Sequence, residues 1–161
     1  MKIPITVTVN GRPYEVAVKH NQTLLECLRD DLELRGTVEG CGVGVCGSCT
    51  LLLDGRPVSS CLLLATNADG KQVTTIEGLA QDGQLDPVQQ AFLDHHAFQC
   101  GFCTPGMVLT TKALLATNSH PTEEEVRDFL SGNLCRCGTY SGVLAAVKHL
   151  TETWPKVGAG G

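Results

Sequence analysis

Aromatic residues are scarce in this chain. Its 161 residues include four Phe, two Tyr and one Trp, so the sequence offers no platform on which nucleic-acid bases could stack. Basic residues are also few, and the twelve Lys and Arg are scattered, with no run that could follow a phosphate backbone. With a net charge of −5 as well, the chain is not expected to bind nucleic acid.

Long hydrophobic runs are also missing. The longest unbroken apolar stretches are residues 61–65 and 143–147, far shorter than the roughly 20 residues of a membrane-spanning helix. The first ten residues alternate apolar and polar side chains and lack the continuous apolar stretch of a signal peptide. We therefore expect a cytoplasmic protein without a membrane span, in a compartment where cysteines serve as ligands more often than as disulfides.

Motifs for substrate chemistry are lacking too. The sequence has no nucleophile elbow, no phosphate-binding P-loop and no G-x-G-x-x-G motif after a strand. We therefore expect no catalytic residues on this chain.

Cysteine is what the chain has in quantity. Eight of its nine cysteines form two sets: Cys41, Cys46, Cys49 and Cys61, then Cys100, Cys103, Cys135 and Cys137. Four thiolates bind a [2Fe–2S] cluster, and a C-x4-C-x2-C run with a distant fourth cysteine is the plant-type ferredoxin spacing. The first set has this spacing and predicts such a cluster. The ninth, Cys27, lies among leucines and is predicted to be a core residue.

The loop around the first set is rich in glycine. Four of the eight residues from 40 to 47 are glycine, which permits positive φ angles and backbone N–H groups turned toward sulfur. The rival is a tetrahedral zinc site with four cysteine ligands, but structural zinc usually favours two C-x2-C knuckles. The spacing therefore favours a cluster in the first set.

The second set is less diagnostic by spacing alone. One pair has the C-x2-C spacing, and Cys135 and Cys137 flank a single residue. Cys103 precedes the Thr104-Pro105 pair, a helix-start signal, and the N-terminal end of a helix favours thiolates. The spacing leaves a cluster, zinc and redox-active cysteines open as alternatives.

The pattern of apolar residues predicts an α+β fold with two domains. In residues 1–76, strands over 3–9 and 14–18 flank an Asn10-Gly11 hairpin turn. A helical period follows over 22–32, and further strands are predicted over 50–53, 56–58 and 73–76. A hairpin, a helix and returning strands fit a β-grasp domain.

The rest of the chain is predicted to be helical. Residues 77–86 are rich in Gly, Asp and Gln and are interpreted as a linker. Helices are expected over residues 87–97, 104–116, 123–130 and 140–154. They would form a four-helix bundle over 87–155, followed by a mobile tail at 156–161.

The ordered motifs of this sequence resemble those of the small iron–sulfur subunit of molybdenum hydroxylases. That family includes xanthine dehydrogenase, aldehyde oxidoreductase, carbon monoxide dehydrogenase and the N-heterocycle hydroxylases. The resemblance is carried by residues 40–50, 60–62, 75–79, 99–107 and 131–137. It implies that the second cysteine set also holds a [2Fe–2S] cluster.

The same resemblance implies a role as the redox subunit of an oxidoreductase acting on aldehyde, C–H or N-heterocycle substrates. Its partner would be a large catalytic subunit that binds molybdopterin, in the cytosine dinucleotide form, and Gln99 and Cys137 would approach the pterin. Electrons would pass from molybdenum through the helical-domain cluster and then the ferredoxin-like cluster. The acceptor would be either a medium FAD-binding subunit or an external carrier such as a cytochrome.

One alternative of another class stays open. The chain could be a freestanding interaction module stabilised by zinc, without a redox role.

Overall fold

Two hairpins and one connecting strand build a five-stranded mixed sheet. The computed structural model describes residues 2–153. Its strands are β1 (Lys2–Val9), β2 (Arg12–Lys19), β3 (Thr50–Leu53), β4 (Arg56–Ser59) and β5 (Gln72–Thr74). They lie in the order β2-β1-β5-β3-β4, and β5 pairs parallel with β1 and antiparallel with β3.

Both hairpins turn on a pair of residues with positive φ. The predicted Asn10-Gly11 turn is confirmed, with φ angles of 52° and 79°, and it pairs Val9 with Arg12. Asp54 and Gly55 repeat the geometry, with φ angles of 49° and 79°. Positive φ at both central residues matches the right-handed twist of the flanking strands.

The helix predicted over 22–32 is only partly α-helical. Helix α1 (Leu24–Glu26) opens with a capping box between Thr23 and Glu26. It then widens into a π-helical turn, Cys27–Asp31, in which the N–H of Leu32 donates to the carbonyl of Cys27 over 3.1 Å. The wider turn keeps Cys27 fully buried, which confirms its predicted place in the core.

Four helices follow the sheet. They are α2 (Pro87–Asp94), α3 (Thr104–Thr117), α4 (Glu123–Phe129) and α5 (Tyr140–Thr153). Helix α2 ends earlier than predicted because the backbone at His96 has a φ of 50°, which a right-handed helix does not accommodate. Helix α3 begins earlier, with Cys103 as its N-cap where Thr104 was predicted. The predicted tail, 156–161, lies outside the described residues.

The segment predicted as a linker contains short ordered turns. Strand β5 ends at Thr74, and a 3-10 turn occupies Ile76–Gly78 where the sequence predicted the end of a strand and the start of the linker. Farther on, the N–H groups of Gln81 and Gln84 each donate to the carbonyl of the other residue, over 3.0 and 2.8 Å. The connection is therefore a folded turn and not an extended spacer.

The sheet has its own buried cluster, which includes Val7, Leu51 and Val73, and one further strand residue joins the cluster of the helices. Leu52 of β3 is buried in the same cluster as Phe92, Met107 and Leu115 of the helices. In the turn that follows β5, Oε1 of Glu77 accepts the N–H of Gly36 over 2.6 Å. The burial of Leu52 among the helices positions the two cysteine-bearing regions relative to each other. Among residues 2–153, no helix has the length and apolar character needed to cross a bilayer.

Candidate metal centres

Several backbone N–H groups are directed at the thiol of Cys41. Its Sγ accepts the N–H groups of Val43 and Val45, each over 3.4 Å. Positive φ angles at Gly42 and Gly44, 66° and 75°, turn these N–H groups inward. Together with the N–H of Cys46 they lower the pKa of Cys41 to about 6, because hydrogen bonds to the charged form favour it.

The other three thiols of the first set connect to this one. The thiol of Cys46 lies close enough to that of Cys41 to contribute to its lowered pKa. Cys49 and Cys61 are buried beside each other. Burial, followed by the neighbouring thiol of Cys49, raises the pKa of Cys61 to about 11, while the N–H of Gly44 acts in the opposite direction. The four predicted residues thus lie as two neighbouring pairs, with Cys41 near enough for its charge to contribute to the raised pKa of Cys61.

The second set is built at the start of helix α3. Cys103 is its buried N-cap, and burial followed by the thiol of Cys135 raises the pKa of Cys103 to about 12. Cys100 lies close enough for its charge to contribute to that shift. Cys137 reaches the set through its backbone, since its N–H is directed at the thiol of Cys135.

Side chains and backbone N–H groups both supply donors around Cys135. Burial opposes ionisation of this thiol, but the hydroxyl and N–H of Thr139, the thiol of Cys103 and the N–H of Cys137 together lower its pKa to about 7. The hydroxyl of Thr139 lies 3.2 Å from Sγ. The hydroxyl of Tyr140 accepts the backbone N–H of Cys135 over 2.7 Å. The sequence pattern singles out neither residue as part of the site, although both lie within three positions of Cys137.

The two sets meet along one short seam. The N–H of Leu134 donates to the carbonyl of Cys46 over 2.9 Å. Beside it, the carboxamide of Asn133 donates to the carbonyl of Gly47 over 3.1 Å. Nothing in the sequence pattern singles out this contact, which joins residues 86 positions apart.

The two residues predicted to approach the pterin differ in exposure. Gln99 is exposed and Cys137 is half-buried.

All nine cysteines are free thiols. Among residues 2–153, no group of three or more His, Cys, Asp or Glu side chains forms a ready-made site for a metal ion. The thiols are instead linked in contacting pairs, Cys41 with Cys46, Cys49 with Cys61, and Cys103 with Cys135.

Two family models match the chain, one over each half. Residues 7–80 match a model described as a 2Fe-2S iron-sulfur cluster binding domain. Residues 75–148 match a second, described as a [2Fe-2S] binding domain. Each range contains one of the two thiol sets.

Similar proteins are small subunits of dehydrogenases and hydroxylases. The small FeS subunit of nicotinate dehydrogenase from Eubacterium barkeri is 46% identical, over 94% of this chain and 96% of that protein. The small subunit of nicotine 6-hydroxylase from Paenarthrobacter nicotinovorans is 51% identical, over 91% and 88%. The crystal structure of quinoline 2-oxidoreductase from Pseudomonas putida 86 contains a chain that superposes with a TM-score of 0.90 at 45% identity, over 94% and 95%. The chain belongs to the family of small iron–sulfur subunits of molybdenum hydroxylases.

Proposed function

We propose that this chain carries electrons between a molybdopterin-dependent catalytic subunit and an acceptor, using two [2Fe–2S] clusters. The first would be held by Cys41, Cys46, Cys49 and Cys61, and the second by Cys100, Cys103, Cys135 and Cys137. When bound, such clusters take up and release single electrons at potentials set by hydrogen bonds to sulfur and by solvent exposure.

The observation that carries this proposal is the gathering of eight cysteines into two linked groups. Each group contains one thiol with a lowered pKa, Cys41 or Cys135, and one with a raised pKa, Cys61 or Cys103. The lowered pKa supplies thiolate at neutral pH, which metal binding requires. Burial of Cys49, Cys61 and Cys103 keeps water from that side of each site.

The test is metal analysis of the purified, anaerobically handled chain. We expect about four irons and matching acid-labile sulfide per chain, since each cluster takes four thiolates and two irons. The visible absorption of iron–sulfur charge transfer should accompany them. A colourless chain that holds zinc would contradict the proposal and establish the zinc-stabilised module in its place.

The layout supports a two-domain organisation. We propose a β-grasp domain at 1–76, a linker at 77–86 and a helical four-helix domain at 87–155. In support, the five strands lie between Lys2 and Thr74 and the longer helices begin at Pro87. Limited proteolysis should cut first at the exposed turn formed by Asp82 and Gly83; a first cut within a helix would contradict this boundary.

The partner on the molybdenum side is a large catalytic subunit. We propose that its cofactor is molybdopterin in the cytosine dinucleotide form and that Gln99 and Cys137 approach it. The exposed carboxamide of Gln99 is free to bond a group from outside the chain. In the assembled enzyme, Gln99→Leu should keep both clusters but weaken pterin retention or slow reduction of the clusters.

The matched control for Gln99 is Gln84→Leu, which removes an exposed carboxamide in the turn between the two halves. It should leave pterin content and reduction unchanged. If Gln99→Leu behaves like the control, the proposed contact of Gln99 with the pterin is refuted.

On the other side we propose that electrons leave through the first loop, to a medium FAD-binding subunit or to a cytochrome. Val43, Val45 and Leu62 are exposed around this loop, and an apolar surface of this kind suits a docking partner. The protein that co-purifies with the chain and carries flavin or haem would identify the acceptor.

A further inference from the structure

Two consecutive carbonyls of the first thiol loop accept hydrogen bonds from two consecutive residues beside the second set. Leu134 bonds the carbonyl of Cys46 over 2.9 Å, and Asn133 bonds that of Gly47 over 3.1 Å. Cys46 belongs to the first set, and Leu134 is followed directly by Cys135 of the second. The seam therefore joins the two sets through one hydrogen bond and a single peptide unit.

The carbonyl of Gly47 does not need Asn133 for its own loop to fold. It also accepts the hydroxyl and the N–H of Thr50, over 2.7 and 3.2 Å. Both of these donors come from the same loop, whereas the carboxamide of Asn133 comes from the other half of the chain. The contribution of Asn133 is therefore to hold the loop in place against that half.

The seam is closely packed. A Cβ atom on Gly106 would lie 2.3 Å from the carbonyl oxygen of Gly47, and one on Gly47 would lie 2.4 Å from that of Gly132. Real Cβ contacts are never this short, so only glycine fits at either position without a shift of backbone. Asn133 is buried within this contact, with 5% of its surface exposed.

We propose that Asn133 is a positioning residue that fixes the separation between the two clusters. The inference rests on the function proposed above. The Asn133 carboxamide bonds no thiol in the structure, and it acts through Gly47, which adjoins Cys46. Elsewhere, the burial of Leu52 among the helices holds the two halves together, so loss of the carboxamide alters the seam and not the packing of the halves.

The experiment measures magnetic coupling between the reduced clusters in the full chain. Two paramagnetic centres split each other's resonances by an amount that falls steeply with their separation. Asn133→Ala should keep the iron content of the wild type but narrow this splitting in the doubly reduced chain. Asn133→Asp has nearly the same size but sets an oxygen against the Gly47 carbonyl, and it should narrow the splitting at least as much.

A second variant should increase the separation of the clusters by adding a methyl group to the seam. Gly106→Ala should displace the Gly47 carbonyl and narrow the splitting although Asn133 is intact. The control is Asn118→Ala. It removes an asparagine side chain at the C-terminal end of α3, whereas Gly106 lies near the N-terminal end. This variant should leave the splitting unchanged.

The outcomes separate the inference from the function on which it rests. Unchanged splitting in both Asn133 variants would overturn the positioning role. Loss of a cluster from Asn133→Ala would also overturn it, because Asn133 would then be needed for cluster binding. A wild-type chain without clusters would refute the proposed function, and this inference with it.

Discussion

In the loop around Cys41 the donors to sulfur are backbone N–H groups, whereas beside Cys135 they include the hydroxyl of Thr139. The first arrangement depends on chain conformation, since Gly42 and Gly44 turn the peptide units inward. The second also uses backbone N–H groups, those of Thr139 and Cys137, but adds the side-chain hydroxyl of Thr139 just before helix α5. Both lower the pKa of one thiol, to about 6 for Cys41 and about 7 for Cys135.

This difference indicates which substitutions would remove the donors at each site. A backbone donor survives most side-chain replacements and fails when a glycine is replaced. A hydroxyl donor can be removed by one isosteric change without altering the backbone. We therefore expect the first site to respond to conformation and the second to composition.

The largest expected effect comes from removing one thiol of each set. Cys49→Ser should abolish the first cluster, because serine is a poor ligand for iron and the site is buried. Cys103→Ser should abolish the second. Each variant should retain about half of the iron and one of two reduced-cluster signals. Both signals unchanged in either variant would contradict the ligand assignment for that set.

The next effect tests the dependence on conformation. Gly44→Ala and Gly101→Ala both place a side chain at positive φ, +75° and +81°, at a cost of about 1–2 kcal/mol each. At Gly44 the new Cβ would also lie 2.2 Å from Leu62, whereas at Gly101 it meets open space. The thermal midpoint for loss of the first cluster in Gly44→Ala should therefore fall further than the midpoint for loss of the second cluster in Gly101→Ala.

Gly101→Ala serves as the matched control, since it carries the strain without the contact. Equal decreases of the thermal midpoint in the two variants would mean that the exposed side chain of Leu62 moves aside without a cost in free energy. A larger shift for Gly101→Ala would reverse the comparison between the two sites.

A smaller effect should follow from Thr139→Val. The change keeps the volume of a buried side chain but removes the hydroxyl 3.2 Å from the Cys135 thiol. Because a hydrogen bond to sulfur favours the reduced, more negative cluster, its loss should lower the reduction potential of the second cluster. The potential of the first cluster should stay the same in a titration followed by electron paramagnetic resonance. A shift in the first alone would show that the signals had been assigned to the wrong sites.

The smallest effect concerns Cys27, the thiol outside both sets. Cys27→Ala should keep both cluster signals and reduce the free energy of unfolding by about 1 kcal/mol. Burial, then the charge of Asp31, raises the pKa of this thiol from 9.0 to about 11. The folded chain thus holds its proton more tightly, so stability present below pH 9 is lost as the pH rises toward 11.

Denaturant unfolding at several pH values checks this. The stability advantage of the wild type over Cys27→Ala should shrink above pH 9 and reverse by pH 11, because a rise of the pKa from 9.0 to about 11 outweighs about 1 kcal/mol. A cluster lost from the variant at neutral pH would contradict the place of Cys27 in the core.

Local signals in the sequence account for much of the fold. Asn10-Gly11 set the first hairpin because both residues accept positive φ, and Thr122 with Glu125 started α4 through a capping box. The π-helical turn at Cys27 could not be predicted, because it follows from packing against a sheet whose strands lie far apart in sequence.

For the candidate sites, too, the sequence predicted some features and not others. The spacing of the cysteines indicated both sets, but it gave no sign of the seam between them. Asn133 and Gly47 are distant in the chain, and their hydrogen bond depends on how the helices pack against β3. Thr139 and Tyr140 were missed because the hydrogen-bond role of a hydroxyl depends on how its side chain is oriented in the fold.

The position of β5 has a consequence for biosynthesis. This strand leaves the ribosome last of the five, yet it lies between β1 and β3 and joins the two hairpins into one sheet. Until residues 72–74 emerge, each hairpin has an unpaired strand edge that can pair with another nascent chain. Chains that stop short of Gln72 should therefore aggregate, and a chaperone that covers these edges would be needed most during that interval.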